Sequence, residues 1–243
     1  MVDLTLGERV TPLLETHTAV AGGRFCGIRN RTAWHPSPEV TSNLVTPPPG
    51  PLEHPAFAEG AKRLAAFGLP LDVWAYHTQL PHVIALVRAV PELTVVVDHV
   101  GGPLGIGPFA GKQAEVFPEW KRRMQELAAL SNVVVKVGGL TMYVSGFDFH
   151  HRPKPPGSEE LAKTWRPYVE TCIEAFGPSR CMFESNFPVD KGMCSYPVLW
   201  NALKRLAAGA GADEKTALFS GTAMRVYKLD RLPASLAIDL SSP

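Results

Sequence analysis

Leu93-Thr94-Val95-Val96-Val97-Asp98-His99 runs from β-branched residues straight into an acid and an imidazole. Branching at Cβ favours extended backbone, and a strand apolar throughout suits a parallel sheet covered on both faces. Four more segments read the same way: Arg24–Arg29, Leu71–Tyr76, Val133–Val137 and Arg180–Asn186. Between and around them lie helical patterns near Leu6–Ala19, Pro55–Phe67, Pro81–Ala89, Glu115–Leu130, Glu159–Phe176, Tyr196–Ala208 and Ala212–Tyr227. Strands alternating with helices predict βαβ units, hence a doubly wound sheet or a (β/α)₈ barrel, with the strands parallel and neighbours in chain order.

Connection lengths separate the two ends of these strands. Helix-to-strand links are short, as in Gly68-Leu69-Pro70, Pro91-Glu92 and Ser131-Asn132. Strand-to-helix links are long: Asn30 to Glu53 with its Pro47–Pro51 run, the glycine-rich Gly101–Lys112, and Ser145–Gly157. Barrel proteins build their sites from the loops that follow their strands, so the chemistry is expected at that end. Decoration or subunit contacts are the plainer use of such loops.

Composition narrows the class. A length of 243 residues suits one domain, 1–243, and 45% hydrophobic with 19% charged residues suits a folded chain. A net charge of +1 gives no footprint for nucleic acid or an anionic membrane. No apolar run reaches membrane-spanning length and no leader pattern opens the chain. Cys26, Cys172, Cys181 and Cys194 form no C-x-x-C pair, and reduced thiols of a cytoplasmic protein are expected.

The last strand is the most polar. In Arg180-Cys-Met-Phe-Glu-Ser-Asn-Phe-Pro-Val-Asp190, alternation puts Met182, Glu184 and Asn186 on one face. A carboxylate and an amide there need partners or a use, because unpaired burial costs several kcal/mol.

Taken in order, several motifs resemble the amidohydrolase-related family of TIM-barrel hydrolases, which includes pyrone-dicarboxylate lactonases and fuconolactonases. They are Gly27-Ile28-Arg29, Leu71–Trp74, Asp98-His99-Val100-Gly101-Gly102-Pro103, Val134–Leu140, Met182–Pro188 and Gly221-Thr222-Ala223. The resemblance runs from about Gly7 to Leu229. It implies an α/β fold of TIM-barrel-like (β/α)₈ type, incomplete at its N-terminus, and hydrolysis of a lactone, ester or amide of a small organic molecule. Decarboxylation is a related chemistry of that family. Two departures stand out. The family opens on a His-x-His strand, absent from this sequence, and its last strand reads Gly-Ser-Asp-Trp-Pro where this chain has Glu184-Ser185-Asn186-Phe187-Pro188. Neutral Asn186 is neither a base nor a good transition-metal ligand. The expectation is therefore no metal in this form, with a divalent ion such as zinc implied only where the His-x-His strand is present. A catalytically inactive remnant that binds a ligand or self-associates, as a homo-oligomer, is the rival reading.

Residue by residue, the resemblance gives His99 contact with substrate or metal, and polarising a carbonyl is its expected part. Glu184 is expected to activate water, in place of the family's aspartate, and Asn186 to position it; salt-bridging with Lys136 or Arg29 is the structural alternative for Glu184. Arg29 presents a fork suited to a substrate carboxylate, or to a protein one. His77 is expected at the same mouth, and Lys136, in a valine-rich strand, needs a buried partner or a ligand. By strict alternation His99 shares a face with Val95 and Val97 while Asp98 points away, to cap a loop or helix. Asp190 and Lys191 are expected as a surface pair, and His150 and His151 in a solvated loop.

Overall fold

Every strand in the computed structural model, which describes residues 2–41 and 47–229, is joined to the next through a helix. Among the described residues five strands form one sheet: β1 (Ile28–Arg31), β2 (Leu71–Trp74), β3 (Val95–Val97), β4 (Val133–Val137) and β5 (Cys181–Phe183). They are parallel and neighbours in chain order, as the βα alternation predicts. The helices are α1 (Thr11–Val20), α2 (Pro55–Ala66), α3 (Leu80–Ala89), α4 (Gln113–Ala128), α5 (Ser158–Phe176), α6 (Tyr196–Leu206), α7 (Ala212–Thr216) and α8 (Thr222–Tyr227). A π-turn, Ala217–Gly221, interrupts what reads in sequence as one helix from Ala212 to Tyr227.

The sheet has two apolar faces with different cover. Leu71, Val73, Val95, Val97, Val133, Val135 and Phe183 face the helices, packing with Phe57, Val83, Trp120 and Trp165 in the main core. Val96, Val134 and Met182 face the other way and meet Val226, Ala223 and Tyr227 of α8. Burying each such aliphatic or aromatic side chain is worth about 1.5–3 kcal/mol. This two-sided cover explains why the valine strands carry no polar alternation.

Local chemistry sets the helix ends. Pro55 opens α2, where the His54 Nδ1 accepts the Ala56 N–H at 3.2 Å. Along α4, Val116, Trp120, Met124 and Leu127 fall on one buried stripe. Arg180 donates to the carbonyls of Ala128, Leu130 and Phe176 at 2.8, 2.9 and 3.1 Å, fastening the C-terminal ends of α4 and α5 below β5.

The strands are shorter than their apolar runs. β1 starts four residues later than its run, where Ile28 N–H finds the Pro70 carbonyl at 3.1 Å, and extends through Arg31. β3 and β5 stop before their polar residues, so Asp98, His99, Glu184 and Asn186 all lie past the last paired residue. That places them at the C-terminal mouth of the sheet. Among the described residues no helix is long and apolar enough to cross a membrane, and the four cysteines are unbridged.

Candidate active site

The inner face of the sheet carries a stack of charge. Register aligns Arg29 with Asp72, Asp72 with Val96 and Val96 with Val134, while Lys136 aligns with Met182 one step higher. Lys136 Nζ lies 2.5 Å from Asp72 Oδ2 and 3.1 Å from Asp98 Oδ1. Tyr227 of α8 donates to the other Asp72 oxygen at 2.8 Å. Burial works against the Lys136 charge, but Asp98 and Asp72 outweigh it and hold its pKa above the ordinary value. Burial likewise raises the Asp72 carboxyl, which Lys136 only partly offsets.

Asp98 lies on the face that alternation gives it, opposite Val95 and Val97, but it corrects the expected capping role. It is fully buried on the inner face, paired with Lys136 and with Arg29 Nε at 3.2 Å, and does not cap a loop or helix. Being two residues past Val96, it follows the inward face of β3. His99 should then point outward. It does not, because the backbone turns left-handed at His99 (φ 52) and Val100 (φ 48). Such angles are rare for residues with a Cβ, and rarest for a β-branched one. Trp120 Nε1 donates to the Val100 carbonyl at 2.7 Å, and Gly102 N–H to that of His99 at 3.0 Å, which hold the turn. Backbone held against its preference at a strand mouth is a functional hint.

The turn delivers the imidazole to Glu184. His99 Nδ1 lies 2.5 Å from Glu184 Oε1, which also accepts the His99 backbone N–H at 3.2 Å. On the other ring nitrogen, Nε2, sits Arg29 Nη2 at 2.9 Å. A guanidinium can only donate, so this contact requires an unprotonated Nε2 and puts the ring proton on Nδ1, toward Glu184. Burial works against a charged imidazole, but the Glu184 carboxylate outweighs it and raises the His99 pKa. The same pairing, helped by Lys136 and Arg29, lowers Glu184 against the opposing effect of burial. The Trp74 ring meets His99 edge-on at 4.7 Å.

Gly138 and Gly139, which follow β4, make this approach possible. A Cβ on Gly139 would lie 2.7 Å from the His99 Cβ, and Gly139 itself has φ +67. A Cβ on Gly138 would lie 2.5 Å from the Glu184 Cγ. Only glycine fits either position without moving one member of the pair.

The remaining site residues divide. Asn186, with φ 50, donates through Nδ2 to Asp190 Oδ1 at 2.8 Å, and so has a structural partner. Asp190 is fully buried, which corrects the surface pair with Lys191; the short turn Val189–Gly192 folds it inward. Burial pushes its carboxyl up to about 6, against the pull of Thr141 and Asn186. His77 does not join the His99 group. Its Nδ1 accepts the Leu104 N–H at 3.2 Å, its ring meets Phe109 at 5.0 Å, and burial lowers its pKa to about 4. Glu184 pairs with His99 in place of Lys136 or Arg29, which engage Asp72 and Asp98. Arg29 is the most accessible member, with 40% of its side chain exposed while Asp98 beneath it has none.

A metal at His99 does not fit the residues described. His99 belongs to no group of three imidazole, thiolate or carboxylate atoms close enough to share an ion. Its free ring nitrogen faces a guanidinium, and catalytic zinc takes about three protein ligands.

A parallel βα sheet with a polar centre at the strand mouth defines an α/β protein of the TIM-barrel class. The chain belongs to the amidohydrolase family, whose model matches residues 2–229. It is 34% identical over 220 residues to the uncharacterized protein y4mH of Sinorhizobium fredii, covering 90% of this chain and 66% of that one. It is 32% identical over 174 residues to the L-fucono-1,5-lactonase of Burkholderia multivorans, covering 71% and 56%. The chain thus spans about two thirds or less of the length of these curated relatives. A solved amidohydrolase of Burkholderia multivorans with bound HEPES superposes with TM-score 0.73 at 28% identity, covering 91% of this chain and 70% of that one. A second crystal form of it, with bound zinc, gives TM-score 0.64 at 30% identity over 75% and 59%.

Proposed function

We propose that the chain hydrolyses a lactone of a small organic acid, with an ester as the nearest variant, at the centre formed by His99, Glu184 and Arg29. The observation that carries this is the doubly engaged imidazole: Glu184 on Nδ1 at 2.5 Å and the exposed Arg29 on Nε2 at 2.9 Å. The similarity to L-fucono-1,5-lactonases supports a lactone over an amide.

The geometry supports a division of labour different from the one expected of Glu184 as the direct base. Glu184 is committed to His99, fixing its tautomer and stabilising the imidazolium, as a carboxylate does behind a general base. Arg29 blocks Nε2 until a substrate carbonyl or carboxylate draws its guanidinium away. Nε2 is then free to take a proton from water attacking the carbonyl, and Arg29 stabilises the developing oxyanion. The imidazolium returns the proton to the leaving alkoxide, which opens the ring. Lys136, Asp98 and Asp72 form the charged floor beneath, and Asn186 with Asp190 braces the wall. His77 serves the loop at Leu104.

The test is hydrolysis of a panel of aldonolactones, L-fucono-1,5-lactone among them, by this 243-residue chain. His99→Gln should lower kcat by ~10²–10⁴-fold, the usual contribution of a general base. Arg29→Gln should also raise KM. A panel without turnover, or a His99→Gln chain with full turnover, would refute the proposal.

A further inference from the structure

The distal part of the loop between β4 and α5 takes no part in the proposed chemistry, yet it gathers two imidazoles and a carboxylate. We propose that Asp148, His150 and His151 form a site for a divalent transition metal of the zinc, nickel or copper type. Among the described residues this is the group in which three ligand atoms from separate side chains lie within 4.8 Å of one another.

The distances favour a metal over direct pairing. Asp148 Oδ1 lies 3.5 Å from His151 Nε2 and 3.8 Å from His150 Nε2. Hydrogen bonds between nitrogen and oxygen close to about 2.7–3.2 Å, so neither contact is a formed one. Ligands bound at about 2.0–2.1 Å around a tetrahedral ion stand ~3.3–3.4 Å apart. The two separations from Asp148 exceed that spacing by a few tenths of an ångström, and the three ligand atoms all lie within 4.8 Å of one another.

The surroundings fix the arrangement. Buried Phe149 anchors the short turn Phe149–His151 and leaves its polar neighbours at the surface. The two imidazole rings lie side by side, 4.0 Å apart. Tyr143 meets His150 edge-on at 5.1 Å. The neighbouring cation, Arg152, is engaged by Glu160 and lies over the Phe149 ring. Two imidazoles and one carboxylate suit zinc, nickel or copper better than calcium or magnesium, with water completing the shell.

Zinc competition against a chromophoric chelator, and electron paramagnetic resonance of added Cu²⁺, test the site on the purified chain. One equivalent of Zn²⁺ should bind, and one equivalent of Cu²⁺ should show hyperfine coupling to two imidazole nitrogens. The double variant His150→Ala with His151→Ala changes exposed side chains and should keep the native circular dichroism. It should weaken zinc by at least ~100-fold, beyond the usual 10–100-fold cost of losing an outer-shell partner. Asp148→Asn should weaken it less. Absence of stoichiometric binding, or binding unchanged in the double variant, would overturn the proposal.

Discussion

Two polar clusters share the inner face of the sheet, and they differ in how far solvent reaches them. The deeper one joins Lys136, Asp72, Asp98 and Tyr227 within 2.5–3.1 Å, with Tyr227 of α8 covering it. The upper one joins His99, Glu184 and Arg29 at similar distances, but the Arg29 side chain is partly exposed. The same residue types therefore serve two ends. Charges mostly enclosed by protein are costly to leave unpaired, whereas a charge pair that solvent reaches is a candidate for chemistry.

If the deeper cluster is structural, removing its cation should produce the largest loss of stability. Lys136→Met leaves Asp72 and Asp98 with less compensation and should cost ~3–5 kcal/mol in urea unfolding. A loss within 1 kcal/mol would erase the contrast. Asp190 gives the next largest effect, and it depends on pH. Its carboxyl rises from an ordinary 3.8 to about 6, so the folded chain binds this proton more tightly than the unfolded one. Its contribution is fully present below the unfolded pKa and is lost as pH rises through about 6, by ~3 kcal/mol at most. Asp190→Asn should remove that slope and raise stability at pH 8, as read from melting temperatures across pH 4 to 8. An unchanged pH profile would mean that Asp190 is ionised throughout. The smallest effect belongs to Tyr227→Phe, which removes one hydrogen bond while Lys136 still holds Asp72. About 1 kcal/mol is expected from the same urea series. A loss as large as that of Lys136→Met would make α8 the principal support of the cluster.

Much of this architecture is legible in the sequence. Valine-rich runs with short entry links and long exit loops predict parallel strands, which appear, with polar residues just past the ends of β3 and β5. His99, Glu184 and Arg29 are individually readable and do converge. Their partnership is not readable, because it depends on left-handed backbone at His99 and Val100, which breaks the period of two. Asp98 keeps the period of two; its role is misread because the Val95–Val97 face, taken to lead to the mouth, is the one that packs on the helices. Asp190 is misread because a four-residue turn after Pro188 folds it under the strand end. The Gly138-Gly139 pair offers the available signal, since two glycines at a strand mouth announce a close approach by something.

In the proposed hydrolysis Glu184 acts through His99 and not as an isolated buried charge. The decisive measurement is kcat per folded molecule for Glu184→Gln, on whichever lactone the native chain opens. The amide oxygen can still accept from His99 Nδ1 but cannot stabilise the imidazolium, so kcat should fall by ~10²–10⁴-fold. KM and the melting temperature should change little. Full turnover per folded molecule, with stability lowered instead, would show that the His99–Glu184 pair only supports the fold, and would contradict this account.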